Sequence, residues 1–202
     1  MTESSHLLSR REALGAGFAM GALSTFISTG ATAATAQGDA PAAGAELDRH
    51  RRDWAWLEGR WNVRHRRLNG RLVGSTDWQE FNGTSTMWLT LEGLGTVDDN
   101  MLELPSGIYR AVGIRAFDPA TRRWAIWWLD ARNPTRIEPP VYGGFENGVG
   151  TFIGDDVHNN RPVKVRFRWT DVDTRMPRWE QAFSPDNGTT WEINWLMQFT
   201  RA

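Results

Sequence analysis

The feature that most constrains this chain is alternation at a period of two residues, sustained with turn punctuation from Gly59 to its end. Val163-Lys164-Val165-Arg166-Phe167-Arg168-Trp169 alternates apolar and basic side chains without a break. Trp191, Ile193, Trp195, Met197 and Phe199 fall on one parity of a last strand, with Glu192, Asn194, Gln198 and Thr200 on the other. Trp61, Val63 and His65 share a parity on the first. Successive side chains of a strand point to opposite faces, so this pattern puts one face in a core and the other toward water or a polar lumen. Turn signals separate the runs: Asn69-Gly70, Asn82-Gly83, Asp118-Pro119, Asn133-Pro134, Asn147-Gly148, Asn159-Asn160 and Asp186-Asn187-Gly188. No helical spacing intervenes between strands, which excludes a parallel α/β sheet with crossover helices. The expected fold class is all-β, an antiparallel up-and-down barrel of about ten strands, because closure removes exposed sheet edges. Only Leu47 to Leu57 has helix-like spacing, so a short N-terminal helix precedes the barrel.

The stretch before residue 47 reads differently. Arg10 and Arg11 precede an uncharged, Gly-diluted segment from Gly15 to Ile27, and Ala34-Thr35-Ala36 supplies small residues at a cleavage position. These are the marks of an export signal instead of a fold element. Ser9-Arg10-Arg11 with Leu14 resembles the twin-arginine signal, although Ala13 and Gly15 stand where Phe and Lys are usual. The expected organisation is a signal peptide over 1–36, a disordered leader over 37–46 and one β-barrel domain over 47–202, exported to the periplasm or the extracellular space. The apolar segment is too short to cross a bilayer, so no membrane span is expected in the mature chain.

Composition narrows the chemistry. Among 202 residues there is no Cys, which removes disulfides, thiol catalysis and Cys-ligated metals. A net charge of -1 argues against nucleic acid as a partner. Twelve Trp, the first of them Trp54, make large aromatic surfaces the most distinctive resource of the chain.

Gly59-Arg60-Trp61 at the start of the first strand resembles the opening of lipocalin-like (calycin) barrels. That resemblance implies that Trp61 closes the floor and that a late Arg, here Arg201, stacks over it. Trp56-Leu57-Glu58-Gly59-Arg60-Trp61, Phe145-Glu146-Asn147-Gly148 and the Trp-rich closing hairpin also resemble a family of small secreted bacterial proteins of unknown function with a lipocalin-like fold. Ser184-Pro185-Asp186-Asn187-Gly188-Thr189-Thr190-Trp191 matches the sialidase Asp-box at its fixed positions. One copy in a chain too short for a propeller is a hairpin staple and carries no glycosidase chemistry.

Strand parity and a closed barrel together predict a ligand-binding wall of Trp61, His65, Trp78, Trp88, Trp128, Phe167 and Trp195, holding one small hydrophobic or aromatic molecule. Arg166 and Arg168 are expected at the rim or on the outer face. In Trp124–Pro134, Trp127 and Trp128 must face opposite sides, and Asp130 and Arg132 continue the Trp128 face as a strand-end ion pair. If the barrel is a small pocket enzyme of the isomerase, cyclase or lyase kind instead of a binding protein, His65, Asp130 and Arg132 are its candidate catalytic groups. A third reading makes the Trp residues filling for a solid core. No metal site is expected, since His158 beside Asp155 and Asp156 has no second His at ligand spacing. No cofactor is expected, apart from the haem that some related barrels hold, for which His65 is the candidate ligand. Oligomeric state is left open.

Overall fold

The computed structural model describes residues 40–202, with side chains from residue 44 onward. The signal expected over 1–36 and the start of the leader lie outside the described residues. Helix α1 spans Ala40–His50 and is followed by a single 3-10 turn, Ala55–Leu57. Helical structure therefore starts inside the segment expected as an unstructured leader and stops short of the Leu47–Leu57 spacing. Ala40–Ala45 has no apolar stripe for periodicity to show; Pro41 is tolerated in the first helical turn and the alanines offset Gly44.

Ten strands follow: β1 Gly59–Leu68, β2 Trp78–Thr90, β3 Gly95–Leu104, β4 Gly107–Asp118, β5 Arg123–Asp130, β6 Val141–Glu146, β7 Val149–His158, β8 Arg161–Thr170, β9 Arg178–Ser184 and β10 Glu192–Arg201. Each pairs antiparallel with its sequence neighbour, and β1 pairs with β10 to close an up-and-down barrel. Closure runs in register from Trp61↔Arg201 to Arg67↔Trp195. Among the described residues, no helix is long and apolar enough to cross a membrane.

The floor lies at the end where β1 starts and β10 finishes. Trp54, just before β1, is wholly buried there among Trp124, Phe145, Phe152 and Trp169, with ring centroids 4.9–6.0 Å away. Trp61 packs edge-on to Phe199, and its indole N–H donates to the Leu57 carbonyl at 2.7 Å. The Arg201 guanidinium lies 3.8 Å from the centre of the Trp61 ring and donates to the carbonyls of Glu58 and Trp56. The floor Trp and its covering Arg are thus placed as the resemblance implied. The aromatic plug beneath them is Trp54, a residue the pattern reading did not single out. Arg51 ties the entry segment to the β2–β3 connection by donating to Glu92 O at 2.7 Å.

The mouth lies at the other end. It carries the 69–77 and 131–140 loops, the β7–β8 turn and the β9–β10 hairpin. In that hairpin Asp186 accepts from the Thr190 N–H at 2.8 Å and from the Ser184 and Thr190 hydroxyls, while Ser184 Oγ accepts from the Gly188 N–H at 2.8 Å. These bonds hold the Asp186 carboxyl down at about 2. Asn187 and Gly188 adopt φ of 58° and 94°, the left-handed region such a tight turn demands. The motif is a staple, as its physics indicates.

Two local readings need correction. Asn82-Gly83 is no turn; it lies in the middle of β2. A Cβ on Gly83 would lie 2.4 Å from the Met101 carbonyl oxygen and 2.9 Å from His65 Nε2, so glycine there admits the backbone of β3 as well as the neighbouring imidazole. On β10 a bulge between Ile193 and Trp195 breaks the alternation. Trp195, Met197 and Phe199 face inward, but Ile193 is exposed and Trp191 lies outside under the Arg166 guanidinium.

Trp54→Ala is expected to lower unfolding free energy by about 3–5 kcal/mol, the usual cost of emptying a packed aromatic site. Trp88→Ala, on the outer face, is expected to cost within about 0.5 kcal/mol. Urea denaturation followed by far-UV circular dichroism measures both.

Candidate functional site

The barrel encloses a cavity of about 240 Å³, running from Leu57, Trp169 and Phe199 above the floor to Arg67, Arg71, Asp130 and Arg132 at the mouth. Its apolar wall comes from the inward parity of β5, β8, β9 and β10: Ile126 and Trp128, Phe167 and Trp169, Trp179 and Phe183, Trp195 and Met197. The opposite wall, from β2, β3 and β4, is polar: Ser85, Asp98, Asn100, Tyr109 and Arg115.

The polar wall is a hydrogen-bonded unit. The buried Arg115 Nη1 pairs with Asp98 Oδ1 and donates to Thr96 Oγ1 at 3.1 Å; Asn100 Nδ2 donates to Asp98 Oδ2 at 2.6 Å. Gly113, opposite Asp98, makes room for it, since a Cβ there would lie 2.6 Å from Asp98 Oδ2. Arg115 also stacks 4.4 Å above the Trp54 ring, joining the polar wall to the floor plug. A buried ion pair survives only when its remaining valences are met, and here Thr96, Asn100 and the indole face meet most of them. The Arg115 Nε and Trp54 Nε1 hydrogens have no partner among the described residues.

At the mouth, Tyr109 is pushed up to about 12, chiefly by burial, so its phenol stays protonated. Its oxygen accepts from Trp128 Nε1 at 2.9 Å, fixing the inward Trp. Asp130 accepts from Arg132 Nε at 3.0 Å and from the Arg132 backbone N–H at 2.8 Å; these bonds, with the Arg132 charge, hold its carboxyl below the usual range. Arg132 lies 4.3 Å over the Tyr109 ring. The Asp130–Arg132 pair is therefore a local clasp closing the start of the 131–140 loop, and it also lines the cavity.

Of the wall predicted from parity, Trp128, Phe167 and Trp195 line the cavity, and Trp61 lies below it as floor. Trp78 and Trp88 do not. Phe81, Gly83, Ser85 and Met87 take the inward parity of β2, which leaves both Trp residues on the outer face. Trp78 is stacked under Arg66 there, 5.2 Å from its ring centre, and Trp88 is about half exposed. Polar and apolar residues occupy both parities of β2, so alternation alone cannot tell its faces apart. Arg166 and Arg168 are on the outer face of β8, where Arg166 meets Glu180 at 3.4 Å.

His65 points inward as predicted and yet is sealed from the cavity. It is 3 % exposed, stacks on Phe81 at 4.7 Å between ring centres, and accepts from Trp195 Nε1 through Nδ1 at 3.3 Å. Burial above all, with the Arg67 charge, lowers it from 6.5 to about 3, so it is neutral across the working range. A haem ligand needs a nitrogen presented to an open pocket. Here Nδ1 is engaged by Trp195 and Nε2 abuts Gly83, so His65 does not fit that group. Elsewhere, His158 lies against Phe183 and Asp155 pairs with Lys164 at 2.6 Å. No cluster of three His, Asp or Glu arranged to hold a metal occurs among the described residues.

Parity reading missed Arg67, Arg71, Tyr109, Trp179 and the Asp98–Arg115 pair. Arg67 shares the parity of His65 and was legible in principle. Asp98 and Arg115 look like outer-face charges in sequence, because only cross-strand pairing reveals that they meet each other inside. Comparison with models of known protein families gives no match, and neither does comparison with curated proteins.

The buried His65 gives the site a pH signature. The unfolded chain binds the His65 proton below about 6.5, whereas the folded chain does so only near 3. Its contribution is intact above pH 6.5 and is lost as pH falls through that window, by up to about 1.4 kcal/mol per unit. His65→Gln, which keeps an acceptor for Trp195, is expected to flatten the fall in stability between pH 7 and pH 5 in urea titrations. Parallel losses in the two proteins would show that His65 is not held neutral.

Proposed function

We propose that this protein is an exported binding protein that holds one small apolar or aromatic molecule in its barrel. The observation that supports this reading is the cavity of about 240 Å³ walled by Trp128, Phe167, Trp179 and Trp195 within a closed sheet. Apolar enclosures of this order take up ring-sized molecules, with the gain coming from aromatic surface removed from water on both sides. A solid-core module would have filled this space with side chains.

A pocket enzyme finds less support in the same residues. His65 is neutral and sealed, and Asp130 is already occupied by Arg132. The Tyr109 phenol stays protonated, and Asp98 and Asp130 are each paired with an arginine. The phenol can donate a hydrogen bond and the paired carboxylates can accept one, which are roles that orient a bound molecule.

Export follows, on this reading, from Arg10-Arg11 and the small-residue stretch ending at Ala36. Substitution of both Arg10 and Arg11 by Lys is expected to leave uncleaved precursor in the cytoplasm, scored by fractionation and immunoblotting.

Titration with naphthalene or indole is expected to quench the intrinsic Trp fluorescence saturably, at one molecule per chain. Met197→Trp, which fills the cavity from its β10 wall, is expected to weaken that binding at least tenfold while the barrel stays folded. Saturable binding that Met197→Trp leaves unchanged would place the ligand elsewhere.

A further inference from the structure

We infer that the molecule this cavity selects is an amphipathic organic anion, its apolar body among the barrel tryptophans and its carboxylate against Arg67 and Arg71 at the mouth. The inference rests on the binding reading above and names the class of ligand. Both arginines line the cavity and are partly buried. The Arg67 guanidinium lies 5.6 Å from the ring centres of both Phe81 and Trp195, and that of Arg71 lies 5.4 Å from Phe183. Stacking on aromatic faces holds a guanidinium in place while leaving its in-plane N–H groups for a partner. Neither group forms an ion pair or a side-chain hydrogen bond among the described residues. Other arginines of the barrel, among them Arg64, Arg110 and Arg115, are paired with carboxylates, and Arg132 spends its edge on Asp130.

Carboxylates as well as arginines surround the mouth, but none of them contacts Arg67 or Arg71 among the described residues. Burial presses both guanidinium groups down, and each is pressed further by a neighbouring arginine, Arg132 for Arg67 and Arg67 for Arg71. Asp156 and Glu192 attract Arg71 through space, but no carboxylate forms an ion pair with Arg67 or Arg71 among the described residues. Asp130 is held by Arg132, and Glu192 accepts from the Leu72 N–H at 2.7 Å while attracting Arg71 only at longer range. Asp156 lines the cavity and also attracts Arg71 without contacting it. Burial, with Asp156 and Asp130 close by, pushes the Glu138 carboxyl up. Two pre-positioned cations at the lip of an aromatic cavity match a planar carboxylate on a ring-sized body, which accepts fork-like hydrogen bonds from guanidinium edges.

The test compares 2-naphthoate, 2-naphthalenemethanol and 2-naphthylmethylamine by Trp quenching and calorimetry on the purified protein at pH 7.5. The carboxylate is expected to bind at least tenfold more tightly than the alcohol, and the amine more weakly than either. Raising salt is expected to weaken only the carboxylate. The Arg67→Met, Arg71→Met double variant is expected to bring carboxylate and alcohol to equal affinity. Unchanged alcohol binding in that variant shows that the barrel is intact, and Arg67→Lys is expected to keep part of the preference. Equal affinity for carboxylate and alcohol in the unaltered protein, preference for the amine, or a preference that survives the double substitution would overturn the anion assignment and leave the cavity reading standing. Failure of all three compounds to bind would overturn both.

Discussion

The pairing of β1 with β10 is the constraint on which everything else in this molecule depends. Without it the sheet is an open meander with two exposed edges, and its inward aromatics have no enclosed space to face. With it, Trp61 stands opposite Arg201 and Arg67 opposite Trp195, so one register sets both the floor and the mouth. At the floor, Arg201 reaches across the seam to the Trp61 ring and to two carbonyls of the entry segment. The seam is thereby held by side chains as well as by the backbone ladder. In a chain without a single Cys, these contacts and the aromatic plug around Trp54 hold the barrel without covalent staples.

The interior is divided by chemistry as well as by height. The floor half is solid, with Trp54, Trp124, Phe152 and Trp169 packed ring to ring. Above it the cavity lies between an aromatic wall and a wall built on the Asp98–Arg115 pair. That pair costs desolvation, and hydrophobic residues of the same volume would stabilise the fold as well or better. Its presence makes sense as a device that keeps the β2–β4 side polar while Gly113 yields space to it. A molecule entering this barrel meets stacking surfaces on one side and hydrogen-bonding groups on the other, and passes guanidinium groups on the way in.

Much of this was legible in the sequence, for reasons that can be stated residue by residue. Strand number, antiparallel order and the hairpin staple follow from alternation and turn chemistry, which are local. Phe167 and Trp195 read as inner-face residues because β8 and the end of β10 alternate, whereas β5 is apolar on both parities and fixes only that Trp128 and Asp130 share a face opposite Trp127. Trp78 and Trp88 were misplaced because β2 has polar residues on both parities, and Asn82-Gly83 imitates a turn within it. The inward faces there are chosen by what β1 and β3 present, which is a tertiary fact. The same limit hid Asp98 and Arg115: each alone reads as a surface charge, and only the β3–β4 register brings them together. Trp54 precedes the first strand, so strand parity says nothing of it, and the helix-like spacing of Leu47–Leu57 does not show that it reaches into the barrel.

The central claim is that the upper half of the barrel is a ligand site and not merely loose packing. Crystals soaked with 6-bromo-2-naphthoate test it most directly through the anomalous signal of bromine. One strong peak is expected inside the barrel between Trp128, Phe167 and Trp179, with the carboxylate turned toward Arg67 and Arg71. A barrel interior without a peak, or bromine found only on the outer face, would contradict it.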